Sequence, residues 1–256
     1  MKILLKKSIE TVRDKGARAF LKRAGAYINR KTNPFIKRTI VPYAKYKIKR
    51  FNSREMEVGI LINFIFDKFA GLIQPAQVRS EITSLAELVK KLKPKTVLEI
   101  GTAEGGTLFL FSRLSDPHAK IISIDLPGGE FGGGYPEWKI NLYKIFSLPS
   151  QRLYLLRENS HSVSAWEKVK EIIGTMPIDF LFIDGDHTYE GVKKDFEMYS
   201  PLVKEGGVIA FHDIAEHPPE KNCDVRQFWE EIKKNDSEEF IENPNQKWAG
   251  IGVYRR

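Results

Sequence analysis

The sequence is poor in the features that mark secreted, disulfide-bonded or membrane-spanning chains. Cys223 is its only cysteine, which excludes an internal disulfide framework and any zinc site built from several cysteines. The first residues lack the apolar core of a secretory signal, and the apolar stretch from residue 58 to residue 66 is too short to cross a bilayer. We therefore expect a cytoplasmic protein.

Acidic residues are almost absent from residues 1–50, which hold 16 Lys or Arg but only Glu10 and Asp14. This segment carries a net charge of +14, and because the whole chain carries +8, the remaining 206 residues carry −6. Hydrophobic residues make up 42% of the chain and aromatic residues 11%, which argues against disorder. We predict a basic N-terminal arm over residues 1–56 and a folded domain over residues 57–256.

The arm has the pattern of a cationic amphipathic helix. Its apolar residues recur at intervals of three, four and eight, with basic residues between them, at Leu5, Ile9, Val12 and Phe20. Pro34 and Pro42 then predict an end to helical structure. The alternating pattern after residue 42 predicts an extended segment up to residue 50.

Three interpretations of the arm remain open. The plainest is a solvated helical extension that packs on its own domain or on a second copy of the chain in a homo-oligomer. The functional one is docking on an anionic membrane surface, at the inner face of the membrane, through residues 1–50. Binding of nucleic acid through lysines interleaved with Tyr43, Tyr46 and Phe51 is the least favoured.

From residue 57 onward, helix-like and strand-like apolar patterns alternate, which predicts an α/β fold with a parallel sheet covered on both faces. The predicted parallel strands lie at residues 96–100, 120–125, 152–156, 178–184 and 207–213. Helical periodicity occurs at residues 77–92, 164–173 and 189–202. Two last strand patterns, separated by a turn, predict an antiparallel hairpin at the sheet edge, at residues 239–242 and 249–254.

The ends of the first two strands predict a nucleoside site. The first strand runs into Gly101-Thr-Ala-Glu-Gly-Gly-Thr, whose glycines allow a sharp turn and close approach to a ligand. This spacing differs from the G-x-G-x-x-G of dinucleotide-binding proteins. Asp125 ends the second strand, where a carboxylate can accept hydrogen bonds from both hydroxyls of a ribose. A plain tight turn, with Asp125 at the start of a helix, is the alternative.

Acidic and histidine side chains follow the fourth and fifth strands. Asp184 ends the fourth strand, His187 lies in the loop after it, and His212 and Asp213 end the fifth. Because ligands bind beyond the carboxyl ends of parallel strands, we expect these side chains to converge beside the nucleoside. Two carboxylates and an imidazole can hold a divalent cation that lowers the pKa of a substrate hydroxyl, and His187 can take its proton. Metal-free base catalysis and simple helix capping by the carboxylates are the alternatives.

A loop from residue 127 to residue 138 holds five glycines between residues 128 and 134. It also carries Phe131, Tyr135 and Trp138, and flexible backbone with three aromatic rings predicts a lid that closes on substrate. A disordered connector is the alternative.

Taken together, these motifs resemble the class I S-adenosylmethionine-dependent methyltransferases, and most closely the small-molecule and sugar O-methyltransferases grouped with cephalosporin-hydroxylase-like proteins. The resemblance covers about residues 75–256 and rests on residues 97–107, 158–160, 180–191 and 211–214. Its most specific run is Asp184-Gly-Asp-His-Thr-Tyr-Glu-Gly. The resemblance implies a Rossmann-like, doubly wound sheet of seven strands whose last strand is antiparallel.

The resemblance also implies roles for particular residues in binding S-adenosyl-L-methionine. The methionine end would be held by Glu99, Gly101, Thr102, Gly105 and Gly106. Asp125 would take the ribose hydroxyls, Leu126 would pack on adenine, and Asn159 and Ser160 would lie near it. The metal positions would be Asp184, His212 and Asp213, where relatives usually carry acidic or amide residues at the position of His212.

The expected function is therefore methylation of a hydroxyl on a small molecule, such as a sugar or a lipid-linked glycan, with Asp184 and His187 at the reaction centre and Mg²⁺ or another divalent cation assisting. One alternative is an RNA methyltransferase that uses the basic arm, although no Asn-Pro-Pro-Tyr-type motif follows the fourth strand. A membrane-associated protein that binds the cofactor without turnover is the other.

Overall fold

The computed structural model describes residues 34–49, 57–68, 72–128 and 134–256. The amphipathic pattern predicted from Leu5 to Phe20 lies outside the described residues, as do Phe51 and Phe131. The boundary predicted between an arm and a domain after residue 56 stays a prediction.

Seven strands form one sheet in the order β3-β2-β1-β4-β5-β7-β6. They are β1 Thr96–Ile100, β2 Lys120–Ile124, β3 Arg152–Leu156, β4 Ile178–Ile183, β5 Val203–His212, β6 Glu238–Phe240 and β7 Ile251–Arg255. Strands β1 to β5 are parallel, whereas β7 is antiparallel to both β5 and β6. This confirms the predicted Rossmann-like sheet and its antiparallel last strand. The strand order reverses between β1 and β4, which is where open α/β sheets bind ligands.

Helices cover both faces of the sheet. They are α1 Pro34–Lys49, α2 Val58–Asn63, α3 Arg79–Leu92, α4 Gly106–Leu114, α5 Ile140–Tyr143, α6 Val163–Ile173, α7 Tyr189–Tyr199 and α8 Val225–Ile232. A π-helical turn at Phe64–Lys68 continues α2. Strand β4 shows the two-sided burial, because Phe180 and Phe182 join the apolar cluster on one face and Leu181 and Ile183 join the cluster on the other.

The prediction that Pro42 ends helical structure, with an extended segment after it, was wrong. Whether Pro34 ends a preceding helix stays a prediction, because residues 1–33 lie outside the described part of the chain. Residues 34–49 form one helix, α1, with Pro42 inside it. Pro34 occupies the first helical position, where a missing N–H costs nothing. Pro42 removes an internal hydrogen bond, and burial of Ala44 and Ile48 in the main apolar cluster offsets that loss. The prolines are visible in the sequence as helix-breaking residues, whereas the burial of Ala44 and Ile48 depends on the rest of the fold.

Helix ends differ from the predicted ones by a few residues for local reasons. Helix α3 begins at Arg79, so that Gln77 precedes it. Helix α7 ends at Tyr199 because Pro201 follows, and a short 3₁₀ turn at Ser200–Leu202 leads into β5. Among the described residues, no helix is long and apolar enough to cross a membrane.

Candidate functional site

A cavity of about 690 Å³ opens at the carboxyl ends of the parallel strands. Its volume lies within the range of about 300–1,000 Å³ that is usual for small-molecule sites. The predicted site residues that line it are Gly101, Asp125, Leu126, Asn159, Ser160, Asp184, His187, His212 and Asp213. One cavity therefore joins the ends of β1 and β2 to the ends of β4 and β5, which were treated as two separate groups from the sequence alone.

The turn after β1 needs glycine at position 101. Gly101 has φ +92°, and a Cβ placed on it would lie 1.9 Å from the carbonyl oxygen of Asp184. The backbone N–H of Asp184 in turn donates to the carbonyl of Ile100 at 2.8 Å. The ends of β1 and β4 are therefore in direct backbone contact, which leaves the cavity floor without side chains at this point.

Asp125 ties the glycine-rich turn to the segment that begins at residue 134. Its Oδ2 accepts hydrogen bonds from the backbone N–H groups of Thr102 at 3.1 Å and Ala103 at 2.8 Å, and its Oδ1 accepts one from Gly134 at 2.7 Å. Burial raises the pKa of Asp125, and these three donors oppose that rise. Because a carboxylate has about four acceptor positions, a ligand with two hydroxyls has to displace at least one of these contacts.

Glu99 lies behind the turn and does not line the cavity. Its carboxyl group is fully buried and accepts hydrogen bonds from Thr107 Oγ1 at 2.6 Å and Ser123 Oγ at 3.1 Å. Burial raises the pKa of Glu99 to about 8, against the lowering by the two hydroxyls. The donor that a buried carboxyl requires is therefore supplied by the protein, and contact with a ligand stays a prediction.

Thr102, Gly105 and Gly106 also lie behind the cavity wall. Thr102 is buried. A Cβ on Gly105 would lie 2.6 Å from the ring of Tyr143, and one on Gly106 would lie 2.5 Å from the carbonyl oxygen of Ile73. These two glycines allow the start of α4 to pack tightly against its neighbours, which holds the turn rigid.

The end of β3 contributes one residue that the sequence reasoning missed. Asn159 Oδ1 accepts a hydrogen bond from the backbone N–H of His161 at 2.8 Å, and His161 lines the cavity together with Ser160. The His161 Nε2 lies 3.2 Å from a carboxylate oxygen of the fully buried Asp195. Its contact with the Asp195 carboxylate raises the pKa of His161. No sequence signal links two residues that lie 34 positions apart.

Four side chains from the ends of β4 and β5 meet in another part of the wall. His212 Nδ1 lies 3.0 Å from Asp184 Oδ1 and 3.4 Å from Asp213 Oδ1. His187 contacts the same two carboxylates, with Nδ1 3.0 Å from Asp213 Oδ2 and Nε2 3.5 Å from Asp184 Oδ1. The structure therefore brings together the four residues that the sequence placed at these strand ends.

Backbone and side-chain contacts fix the positions of the Asp184 and Asp213 carboxylates. Asp213 has φ +65°, a left-handed conformation that non-glycine residues adopt at a cost, and it accepts a hydrogen bond from the Ala249 N–H at 3.1 Å. Asp184 accepts one at 2.7 Å from Gln77 Nε2, a contact the sequence did not predict. Helix α7 is capped by Thr188. The helix-capping alternative for Asp184 is therefore wrong.

Contact between opposite charges governs ionisation in this cluster. Burial alone lowers the pKa of His187, but hydrogen bonds to Asp184 and Asp213 outweigh burial and raise it to about 12. Burial likewise lowers the pKa of His212, and attraction by the same carboxylates raises it to about 10. Both carboxyl pKa values lie below their usual range although burial opposes this. His187 therefore carries a proton at neutral pH unless another cation neutralises the carboxylates.

The chemistry of the cluster fits a divalent cation. Ligand atoms of Asp184, His212 and Asp213 all lie within 4.8 Å of one another. The Nε2 of His212 is buried and has no hydrogen-bond partner among the described residues. Carboxylates and imidazole together suit transition metals at least as well as Mg²⁺.

Trp248 is a further cavity residue that the sequence reasoning missed. It lies in the link between β6 and β7, lines the cavity and is 51% exposed. Gln246 Nε2 holds this link by donating to the Trp248 carbonyl at 2.9 Å. A large, exposed aromatic ring at the edge of a polar cavity offers a flat apolar face to a substrate.

The predicted lid aromatics are placed differently. Tyr135 is only 3% exposed and packs on the ring of Tyr143, and Trp138 packs against the same apolar cluster. Neither residue lines the cavity. In this structure both rings pack on the apolar cluster beside α5, and closure of the loop on a substrate stays a prediction.

Comparison with known proteins finds similarity to one family and to several solved structures. A family described as "Methyltransferase domain" matches residues 98–214, somewhat less than half of the chain. An uncharacterised protein of Acanthamoeba polyphaga mimivirus is 35% identical over 127 residues, which is 48% of this chain and 52% of that protein. The chain therefore spans about half the length of that curated relative.

Two solved methyltransferases have a fold similar to that of this chain. An O-methyltransferase from Bacillus cereus, solved with S-adenosylhomocysteine, has a TM-score of 0.52 at 16% identity and covers 92% of this chain and 100% of its own. A TDP-rhamnose 3′-O-methyltransferase of calicheamicin biosynthesis has a TM-score of 0.50 at 16% identity and covers 82% and 92%. At these identities the likeness shows the fold alone. Gln77 and Trp248 lie outside the segment that matches the methyltransferase domain.

Proposed function

We propose that this protein transfers a methyl group from S-adenosylmethionine to a hydroxyl of a small molecule, such as a sugar or a lipid-linked glycan. The observation that carries the proposal is one cavity that joins Gly101 and Asp125 to the cluster of Asp184, His187 and Asp213. The first group is suited to a nucleoside and the second to a hydroxyl that must lose its proton. The methyltransferase domain match over residues 98–214 supports the choice of methyl donor.

S-adenosylmethionine, when bound, supplies an electrophilic methyl group on a sulfonium sulfur. Gly101 has no side chain that would block a ligand from the backbone, and Asp125 would accept from the ribose hydroxyls after giving up a backbone contact such as that with Gly134. Leu126, which is partly exposed, would pack on the base, with the cavity residues Asn159 and Ser160 beside it. The Asp125 carboxylate would therefore both hold the turn after β1 and bind the ribose.

Asp184, His212 and Asp213 would hold a divalent cation such as Mg²⁺, which supplies Lewis-acid polarisation of the substrate hydroxyl when bound. With the cation neutralising the two carboxylates, His187 would be free of its proton and could take the one from the hydroxyl; it lies between Asp184 and Asp213. The substrate oxygen would form a bond to the methyl carbon as it loses that proton, and the methyl–sulfur bond would break to leave S-adenosylhomocysteine. Trp248 provides an apolar face for the acceptor at the cavity mouth.

A methyl-transfer screen tests this proposal. Full-length protein is incubated with labelled S-adenosylmethionine and sugars, polyols, catechols or RNA, each with Mg²⁺ and with a chelator. We expect label in a hydroxylated small molecule and loss of transfer with the chelator. Label in RNA would favour the RNA alternative, and full activity in the chelator would remove the metal from the proposal.

We also propose that the basic arm docks the protein on an anionic membrane surface. On α1, Tyr43 and Tyr46 are more than half exposed, with Lys45 and Lys47 between and beside them. Exposed aromatic rings with lysines close by in the same helix suit a lipid headgroup layer, where each basic residue contributes on the order of 1 kcal/mol. This surface is the described part of a segment that carries +14.

Removal of residues 1–50 would not test this idea cleanly, because Ala44 and Ile48 belong to the domain's apolar cluster. Instead, full-length protein is sedimented with anionic and neutral vesicles at low and high salt. We expect binding to anionic vesicles that is weakened by salt and by Lys45→Gln with Lys47→Gln. The matched control is Lys90→Gln with Lys91→Gln on α3. No sedimentation at low salt would contradict the proposal.

A further inference from the structure

Cys223 lies beside the cluster already described, although it takes no part in the proposed reaction. Although burial opposes this, the neighbouring imidazoles of His187 and His217 lower the pKa of the Cys223 thiol. The backbone supports this placement, because the N–H of Asp224 donates to the His187 carbonyl at 2.8 Å. Ligand atoms of His187, Asp213 and Cys223 all lie within 4.8 Å of one another.

His217 lies beside this cluster of three residues, although it is outside the set whose ligand atoms all lie within 4.8 Å of one another. Its tautomer is fixed by its surroundings. Its Nδ1 lies 2.9 Å from the carbonyl oxygen of Ala215. A carbonyl can only accept, so Nδ1 carries the hydrogen and Nε2 is left to act as the ligand atom. This Nε2 lies 3.3 Å from Asp213 Oδ1. A lone pair that faces a carboxylate is repelled unless a proton or a cation lies between them.

Two imidazoles, one carboxylate and one thiolate make a donor set that zinc prefers and Mg²⁺ does not. Tetrahedral zinc sites have ligand distances of about 2.0–2.3 Å, which places ligand atoms roughly 3.3–3.7 Å apart. His187 Nδ1 and Asp213 Oδ2 are 3.0 Å apart, close to that spacing. The residues come from three places in the chain, namely the loop after β4, the end of β5 and the segment before α8.

We infer that His187, Asp213, His217 and Cys223 form a zinc site that overlaps the proposed reaction centre and blocks methyl transfer when zinc is bound. The site shares Asp213 with the proposed Mg²⁺ ligands. It also engages the ring of His187, which can then no longer take a proton. The inhibitory part of this inference rests on the proposed function, whereas zinc binding does not.

Binding is tested without methyl donor or acceptor, so its result is separate from that of the proposed function. Metal-free full-length protein is titrated with Co²⁺, and with Zn²⁺ against a chromophoric chelator. We expect one equivalent of metal and a thiolate-to-cobalt charge-transfer band in the near ultraviolet. Cys223→Ser should abolish the band and weaken Zn²⁺ binding by at least about tenfold, the lower end of the cost of losing even an outer partner of a metal ligand.

Two further variants keep the binding test decisive. His217→Ala should weaken Zn²⁺ binding, whereas His118→Ala, at an exposed position away from the cavity, should leave it unchanged. A wild-type protein without the band, or a Cys223→Ser variant with an unchanged spectrum and unchanged affinity, would overturn the site.

Inhibition is tested on the methyl-transfer reaction with Mg²⁺ present. We expect Zn²⁺ to inhibit the wild type and Cys223→Ser to keep wild-type turnover while resisting Zn²⁺ at least about tenfold better, in line with its weaker binding. Equal inhibition of both proteins would overturn the regulatory role. If no acceptor is found, the Co²⁺ band still decides whether the metal site exists.

Discussion

The two sides of the cavity are built from different kinds of contact. On the side formed by β1 and β2, Asp125 and Gly101 contact backbone groups, and each carboxylate oxygen of Asp125 has a donor. On the side formed by β4 and β5, charged side chains contact one another, and His212 Nε2 has no hydrogen-bond partner among the described residues. A ligand with two hydroxyls can therefore bind Asp125 only by displacing a backbone contact, whereas the second side holds a buried imidazole nitrogen without a partner among the described residues.

From this difference we expect the two sides of the cavity to respond differently to substitution. Backbone contacts fix a shape, so changes on the β1–β2 side should affect folding and cofactor affinity. Contacts between charged side chains fix protonation and cation binding, so changes on the β4–β5 side should affect turnover and leave the shape of the cofactor site intact.

The largest expected effect is on the β4–β5 side. Asp213→Asn removes a contact to His187 and a proposed cation ligand, and should lower turnover by about 10²- to 10⁴-fold. Affinity for S-adenosylhomocysteine should change less than about twofold, because Asp213 touches none of the nucleoside residues. Turnover and calorimetry on the same preparation check this, with the exposed Asp236→Asn as control. Equal losses in turnover and cofactor affinity would contradict the claim that the β4–β5 side acts on turnover alone.

The next largest effect is on the stability of the β1–β2 side. Gly101→Ala places a methyl group 1.9 Å from the Asp184 carbonyl oxygen at a residue with φ +92°. We expect a loss of about 2–4 kcal/mol in the free energy of unfolding, from overpacking and backbone strain. Gly206→Ala is the matched control, because φ is +71° there and the added Cβ meets nothing within 4 Å. Denaturant unfolding measures the free energy of unfolding of both variants. Similar losses would mean that backbone strain at positive φ, and not the steric overlap with Asp184, causes the effect.

A smaller, pH-dependent effect comes from Glu99. Its pKa is raised from 4.5 to about 8 in the folded protein, so between these values the folded state binds more protons than the unfolded state. The stability contributed by the protonated form is therefore present below pH 4.5 and is lost as pH rises toward 8. Glu99→Gln should flatten this loss, which is on the order of a few kcal/mol. Unfolding measured from pH 5 to pH 8 checks this, and an unchanged slope would show that Glu99 is ionised when folded.

The sequence predicted the parts of the fold that depend on local pattern. The alternation of apolar strands and helices gave the sheet, and Gly101, Asp125, Asp184 and Asp213 followed because strand ends can be read from the chain. Pro42 was misjudged because the burial of Ala44 and Ile48 is a tertiary effect.

The remaining site residues could not be predicted for a similar reason. Gln77, His161 and Trp248 reach the cavity from loops whose path depends on the whole sheet. The pairing of His161 with Asp195 joins residues from the end of β3 and from α7. No local periodicity encodes such a contact, so it requires the assembled structure.

The smallest expected effect concerns the acceptor at the cavity mouth. Trp248→Ala should raise the KM for the methyl acceptor by about 3- to 10-fold, in line with about 0.5–1.5 kcal/mol for an aromatic contact. The kcat and the affinity for S-adenosylhomocysteine should stay nearly unchanged. Steady-state kinetics check the split, with the partly buried Trp166→Phe on α6 as control. A change confined to kcat would mean that Trp248 acts in the chemical step and not in acceptor binding.

The most direct test of the central claim is calorimetric titration of the wild-type protein with S-adenosylhomocysteine. We predict one site per chain, and a loss of roughly 1.5–3 kcal/mol in binding free energy for Asp125→Ala, the usual range for a charge-assisted hydrogen bond. The folded state of the variant is checked by circular dichroism, because Asp125 also holds the turn. No detectable binding by folded wild-type protein would contradict the methyltransferase function.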